Sequence, residues 1–178
     1  DHHESAPMTT DGAFTTLMIA APDIDKYTET LRENPSAFQA TGTTGAGVCV
    51  TNSGNDYAGQ MMVWSAFPDV ATALTGGTKY DPQRAPRSFE RLREIKYGVT
   101  WKPLTPFRLE PGYERVQRIK VSAENLQAFS EGLNKLESSI KSAGHHNFYN
   151  GAFVQIGGGT HEIETLMVRS ITRDANAM

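Results

Sequence analysis

The sequence predicts an α+β protein made of two copies of a β-α-β-β unit, the two sheets packing on each other as a barrel within one chain. Three observations carry this expectation: an ordered internal repeat, strand runs that are apolar on both faces, and amphipathic helices between them. The repeat appears when the second half is laid on the first. At an offset of 102, Leu17, Ile19 and Ala21 fall on Ile119, Val121 and Ala123, and Ile24, Tyr27 and Leu31 fall on Leu126, Phe129 and Leu133. Apolar positions at alternate residues, then at i, i+3 and i+7, spell a strand followed by a helix in both places. The offset then grows to 105. Met62-Val63-Trp64-Ser65 meets Met167-Val168-Arg169-Ser170, and Asp69 meets Asp174.

The elements follow in order. Copy one reads as a strand near 13–20, a helix near 23–33, strands near 46–52 and 59–66, a short helix near 69–75 and a polar helix near 86–96. Copy two reads as a strand near 114–121, a helix near 125–142 and strands near 148–156 and 161–171. Asp23 and Asn125 stand where the two long helices begin and are placed to cap them. Pro35 and Gly144 end them. Turn-forming clusters, Asn52 to Asn55 and Gly157 to Thr160, separate the paired strands. Residues 1–12 form a polar tail, 13–112 the first repeat with its connection, and 113–178 a second repeat that stops four residues after Asp174. We expect the final helix and strand of that second copy to lie beyond the sequence given.

Met61 to Trp64 and Leu166 to Val168 are consecutive apolar residues. An antiparallel sheet with one wet face would alternate instead. Both faces are therefore expected to be covered, one by helices and the other by the sheet of the other copy. Two such repeats resemble the dimeric α+β barrel superfamily of ferredoxin-like folds. It includes antibiotic-biosynthesis-monooxygenase-like and NIPSNAP-like proteins, in which two chains or one tandem chain make the barrel. The resemblance is one of topology and transfers no functional residue.

Composition narrows the function. A formal net charge of −3 lacks the clustered basic excess of a nucleic-acid binder. No apolar run approaches the roughly 20 residues of a transmembrane helix. The single cysteine, Cys49, rules out an intrachain disulfide and reads as a buried, inert thiol in an apolar strand. No phosphate loop, nucleophile elbow or glycosylation acceptor occurs. The start at Asp1 without a methionine reads as a processed terminus, which favours a periplasmic or extracellular location over a cytoplasmic one.

Several residue groups qualify as candidate sites. The amine of Asp1, two backbone amides and the imidazole of His3 make a square-planar nitrogen set suited to Cu(II) or Ni(II), with His2 as an extra ligand. The alternative is a solvated tail and no cofactor. Trp64 and Arg169 hold equivalent places in the two copies. Facing a cavity, the indole would stack on an aromatic ligand and the guanidinium would hold a carboxylate or enolate. Trp101 and either Phe148 or Tyr149 would line the same pocket. The plainer reading packs Trp64 in the core and sends Arg169 to solvent or to Glu164. His145, His146 and His161 are too far apart along one hairpin, roughly 30 Å at about 3.3 Å per residue, to share an ion. Arg84, Arg87, Arg91, Arg93 and Lys96, interleaved with Glu90 and Glu94, read as a solvated helix with an anion-binding patch as the alternative.

Two functions remain. The first is a non-catalytic exported binding or assembly module that contacts a protein partner or further copies of itself. The alternative is a small-molecule-binding, cofactor-independent oxygenase-like enzyme acting on an aromatic or polyketide-like substrate.

Overall fold

The computed structural model describes residues 10–178, so the Asp1, His2 and His3 set lies outside the described residues. The chain divides into two compact units. One comprises Gly12–Trp101 with Ile156–His161; the other holds Lys102–Gln155 and Glu162–Met178. Seven strands occur among the described residues, and every pairing described below is antiparallel. No helix among the described residues is long and apolar enough to cross a membrane.

In the first unit, strand β1 (Ala13–Ala20) lies between β3 (Gln60–Phe67) and β4 (Glu94–Pro103), and β2 (Gly45–Val50) sits on the far side of β3. Helix α1 (Ile24–Glu33) starts at Asp23, whose carboxylate accepts from the Lys26 amide at 3.0 Å. Helix α2 (Ser36–Ala40) follows directly. Helix α3 (Val70–Lys79) is capped in the same way by Asp69, which accepts from the Thr72 amide at 2.6 Å. It runs four residues further than its apolar pattern predicts.

Alternation along β1 assigns its residues to two faces. Leu17 and Ile19 stand opposite Val63 and Met61. Together they pack on Tyr27, Leu31, Phe38 and Phe89 from the helical segments. On the other face Phe14, Thr16 and Met18 are buried as well, with Met62, Val99 and Trp101. Both faces of this strand thus carry buried residues.

The segment read as a polar helix over 86–96 is different. Only Arg87–Glu90 is helical (α4), and the chain then becomes strand β4. Ile95, Tyr97, Val99 and Trp101 alternate with polar residues, a period-two signal that the interleaved charges disguised as helical ion pairs. Lys96 sits at a β-bulge, because Met18 pairs with Tyr97 while Ile19 pairs with Ile95. Its ammonium pairs with Glu94 at 2.9 Å. The arginines of this segment therefore share no helix face, and Arg93 is buried.

In the second unit, β7 (Leu166–Thr172) lies between β6 (Tyr149–Gly157) and β5 (Tyr113–Ile119). All seven residues of β7 are buried. The offsets of 102 and 105 would set Ile119 opposite Val168, as Leu17 stands opposite Val63. Instead Gln117 takes that place. The slip is two residues, an even number that keeps every side chain on its face. Helix α5 (Leu126–Ser142) follows a 3-10 turn at Ala123–Asn125, and Asn125 does not cap it. Its amide donates to Ser122 Oγ instead, at 2.8 Å. Helix and sheet are tied by Glu137, which accepts from the Asn150 amide at 2.8 Å and pairs with Lys141 at 2.6 Å.

The link between β6 and β7 extends over residues 158–165, twice the predicted turn, and His161 belongs to it rather than to a strand. Glu162 and Glu164 both adopt φ of 62°. That conformation costs roughly 1–2 kcal/mol without glycine. Glu162 offsets it by a two-pronged ion pair with Arg118 of β5, at 2.6 and 2.7 Å.

Arg169 is fully buried on β7. Its guanidinium takes both oxygens of Glu114, Nε on Oε1 and Nη2 on Oε2, and lies over the rings of Phe107 and Phe153. Removing one partner strands the other charge in a dry site. Arg169→Met is expected to lower stability by about 3–5 kcal/mol in urea unfolding, and the double change Arg169→Met with Glu114→Met to regain most of it. A double variant as unstable as the single would show that the pair itself is the main stabiliser.

Tyr27 gives a pH-dependent counterpart. Burial pushes its phenol above the ordinary tyrosine range, an effect that the nearby Arg93 charge and hydrogen bond only partly offset. A raised folded pKa means stability is complete below the unfolded value near 10 and is lost as pH climbs past it. The stability gap between wild type and Tyr27→Phe should therefore narrow as urea midpoints are followed from about pH 9 to about pH 11. Parallel curves would contradict the assignment.

Candidate functional site

A cleft of about 960 Å³ opens in the first unit between the helical layer and the sheet. Its floor follows from the strand register. Ser65, Thr15 and Thr100 stand side by side on β3, β1 and β4, and the next row is Val63, Leu17 and Gly98. Short side chains in one row and a missing one in the next leave the sheet low there. At the opposite end, Ile19 and Met61 fill the space up to Tyr27. Gly98 is exposed in mid-strand because no helix reaches down to cover it. Leu31 of α1, Phe38 of α2, Leu74 of α3, and Pro82 and Phe89 of the following segment form much of the apolar wall. The volume lies within the range of small-molecule sites.

Among the described residues, the charged groups on this wall are Lys26, Arg91 and Arg93, and no Asp, Glu, His or Cys lines it. Lys26 and Arg91 are exposed, and Arg93 is buried between α4 and β4. Arg93 Nη1 donates to the Tyr27 hydroxyl at 2.9 Å and Nη2 to the Pro82 carbonyl at 3.5 Å. The guanidinium carbon is 4.8 Å from the Phe89 ring centre. Among the described residues it makes no ion pair. Beyond Arg91 and Arg93 lies a second, more open cleft of about 760 Å³ that includes Asp23, Asp25 and Glu94.

The residues singled out from the sequence lie elsewhere. Trp64 is half-buried on the other face of β3, stacked on Phe14 with ring centres 5.8 Å apart. Gly47 is what lets the indole lie flat on β2, since a Cβ there would come within 2.6 Å of the ring. Trp101 is fully buried and donates to Thr16 Oγ1 at 2.9 Å. Phe148 and Tyr149 are buried in the second unit, where Arg108 donates to the Tyr149 hydroxyl at 3.2 Å and Lys141 sits 4.3 Å from its ring centre. Phe148 precedes β6 rather than sharing it, so strict alternation does not apply to the two. Arg169 reaches neither solvent nor Glu164 but Glu114.

His145 and His146 are exposed past the end of α5, and His161 stacks on Tyr97 with ring centres 4.4 Å apart. No cluster of three or more metal-ligating side chains occurs among the described residues. Cys49 is half-buried on β2, not fully buried as expected, because that strand pairs only with β3. Sequence reasoning missed the cleft because small hydroxyl residues on strands attract no motif. The available signal was three of them, Thr15, Ser65 and Thr100, at positions of inward period.

No family model matches the sequence, and no curated protein does. Solved structures do share its fold. A putative monooxygenase from Lactobacillus acidophilus NCFM superposes with a TM-score of 0.60 at 9% identity, covering 94% of this chain and 79% of that one. An anthrone oxidase-like protein gives 0.53 at 11% identity, over 94% and 75% of the two chains. A chlorite dismutase from Candidatus Nitrospira defluvii gives 0.56 at 11% identity, over 94% and 79%. At such identities the likeness is one of fold alone, a ferredoxin-like α+β fold.

Proposed function

We propose that the protein binds an aromatic or polyketide-like small molecule in the cleft between its helices and the sheet of the first unit, and acts on it as a cofactor-independent, oxygenase-like enzyme. The observation that carries this reading is the cleft itself: about 960 Å³ of mostly apolar space over a hydroxyl-bearing floor. Dioxygen would be the oxidant, and the bound molecule would supply the electrons. The fold shared with a putative monooxygenase and an anthrone oxidase-like protein supports the reaction class. An exported assembly module, the first preference from sequence, has no comparable feature behind it. The same strand–helix–strand–strand order in both halves, with equivalent strand neighbours, supports a duplicated ancestry.

Gly98 offers a direct test. A Cβ there would meet Leu17 Cδ1 and Thr16 O at 3.6 Å, ordinary contact distances. The backbone there has room for a Cβ, and Gly98→Leu should extend its side chain into the cleft. N-phenyl-1-naphthylamine, a neutral aromatic probe that brightens in apolar sites, should bind the wild type and lose about tenfold in affinity to Gly98→Leu, or about 1.4 kcal/mol. The melting temperature should move by no more than about 4 °C, the shift of about 1 kcal/mol in a domain of this size. Undiminished binding to the variant would place the probe elsewhere and remove the cleft as the site.

A further inference from the structure

Resting on the cleft as the binding site, we infer that its ligand is held as an oxyanion — a carboxylate, phenolate or enolate — paired with the buried guanidinium of Arg93. Two independent features lead there. The first is an unbalanced charge. Arginine stays protonated at any ordinary pH. A buried cation is costly unless an opposite charge and hydrogen bonds compensate it. The partners of Arg93 are a phenol hydroxyl, a backbone carbonyl and an aromatic face, all neutral. Tyr27 remains a phenol, since its own titration is pushed upward. Asp23, Asp25 and Glu94 line the second cleft together with Arg93, and none of them makes an ion pair with it. Glu94 pairs with Lys96, and Asp23 caps α1.

The second feature is the sign of the wall. Its three charged groups among the described residues, Lys26, Arg91 and Arg93, are all basic in a chain whose net charge is −3. Composition alone would put acids there at least as often. The contrast with Arg169 sharpens the point. That arginine, buried still more deeply, is matched by both oxygens of Glu114. A fork left without a carboxylate at the edge of a cleft fits one supplied by a ligand.

The same wall restricts the chemistry. Among the described residues it carries no carboxylate, imidazole or thiol to serve as a base. A ligand that must lose a proton there loses it to water, and the positive wall lowers the pKa of the bound acid. Substrates are accordingly carboxylic acids, or phenols and enols acidic enough to be ionised beside a guanidinium.

Competition against bound N-phenyl-1-naphthylamine reads this directly. On the wild-type protein, 2-naphthoate should displace the probe at about one-tenth of the concentration needed by 2-naphthamide, its neutral isostere, which corresponds to one charge-assisted pair. Arg93→Gln should bring the two competitors within about threefold. Should Arg93→Gln fail to fold, Arg91→Gln and Lys26→Gln, both at exposed positions, should each reduce the preference for naphthoate several-fold. Equal competition by the acid and the amide on the wild type would overturn the oxyanion while leaving the cleft standing. Loss of the cleft would show separately, as probe binding that Gly98→Leu does not weaken.

Discussion

Strands with no wet face must satisfy most of the polar groups they carry from within the protein, and this constraint organises both units. Thr16 on β1 can be buried because Trp101 donates to it across the ladder. Ser170 on β7 is buried against Asn150 at 2.6 Å. The buried Thr105 hydroxyl accepts from the Ala152 amide at 3.0 Å. Arg169 is admitted to the middle of β7 only because Glu114 comes in with it. Each pair joins neighbouring strands or ties a strand to an adjoining segment, so the hydrogen bonds that make burial affordable also hold the register.

Where that rule is relaxed, the structure makes room. The row Ser65, Thr15 and Thr100 is half-buried rather than buried, and Gly98 beside it is exposed. Helix α1 packs on Ile19 and Met61, and the cleft opens over the row of small residues. Cleft and core thus have one cause, the size of the side chains on successive rows of a single sheet face. Arg93 belongs to the relaxed region. Its neutral partners orient the guanidinium without cancelling its charge, whereas those of Arg169 do both.

Much of the fold was readable because periodicity is a local property. The strand of residues 13–20 and the helix after it, the two strands beyond them, and the long helix of the second half all follow from apolar spacing within short windows. Strand β4 was readable in principle, since Ile95 to Trp101 alternate. It was misread because Glu90, Arg93, Glu94 and Lys96 also satisfy helical ion-pair spacing, and a local rule cannot choose between two local patterns. The β6–β7 link lay beyond such rules altogether. Nothing in the spacing of Glu162 and Glu164 foretells a left-handed backbone, which Arg118, 44 residues away, helps to hold for Glu162.

By itself, then, the amino-acid order determined the types of most elements, their sequence along the chain and the need to bury both sides of certain strands. Those depend on the side chains of neighbours in sequence. Tertiary structure alone decided that Trp64 and Trp101 would pack on the face of the sheet turned away from the cleft, that Arg169 would meet Glu114, and that Arg93 would meet no carboxylate. Each of these outcomes turns on strand register and on residues tens of positions apart, and a charge or an indole becomes core or site only when the neighbours that surround it are known.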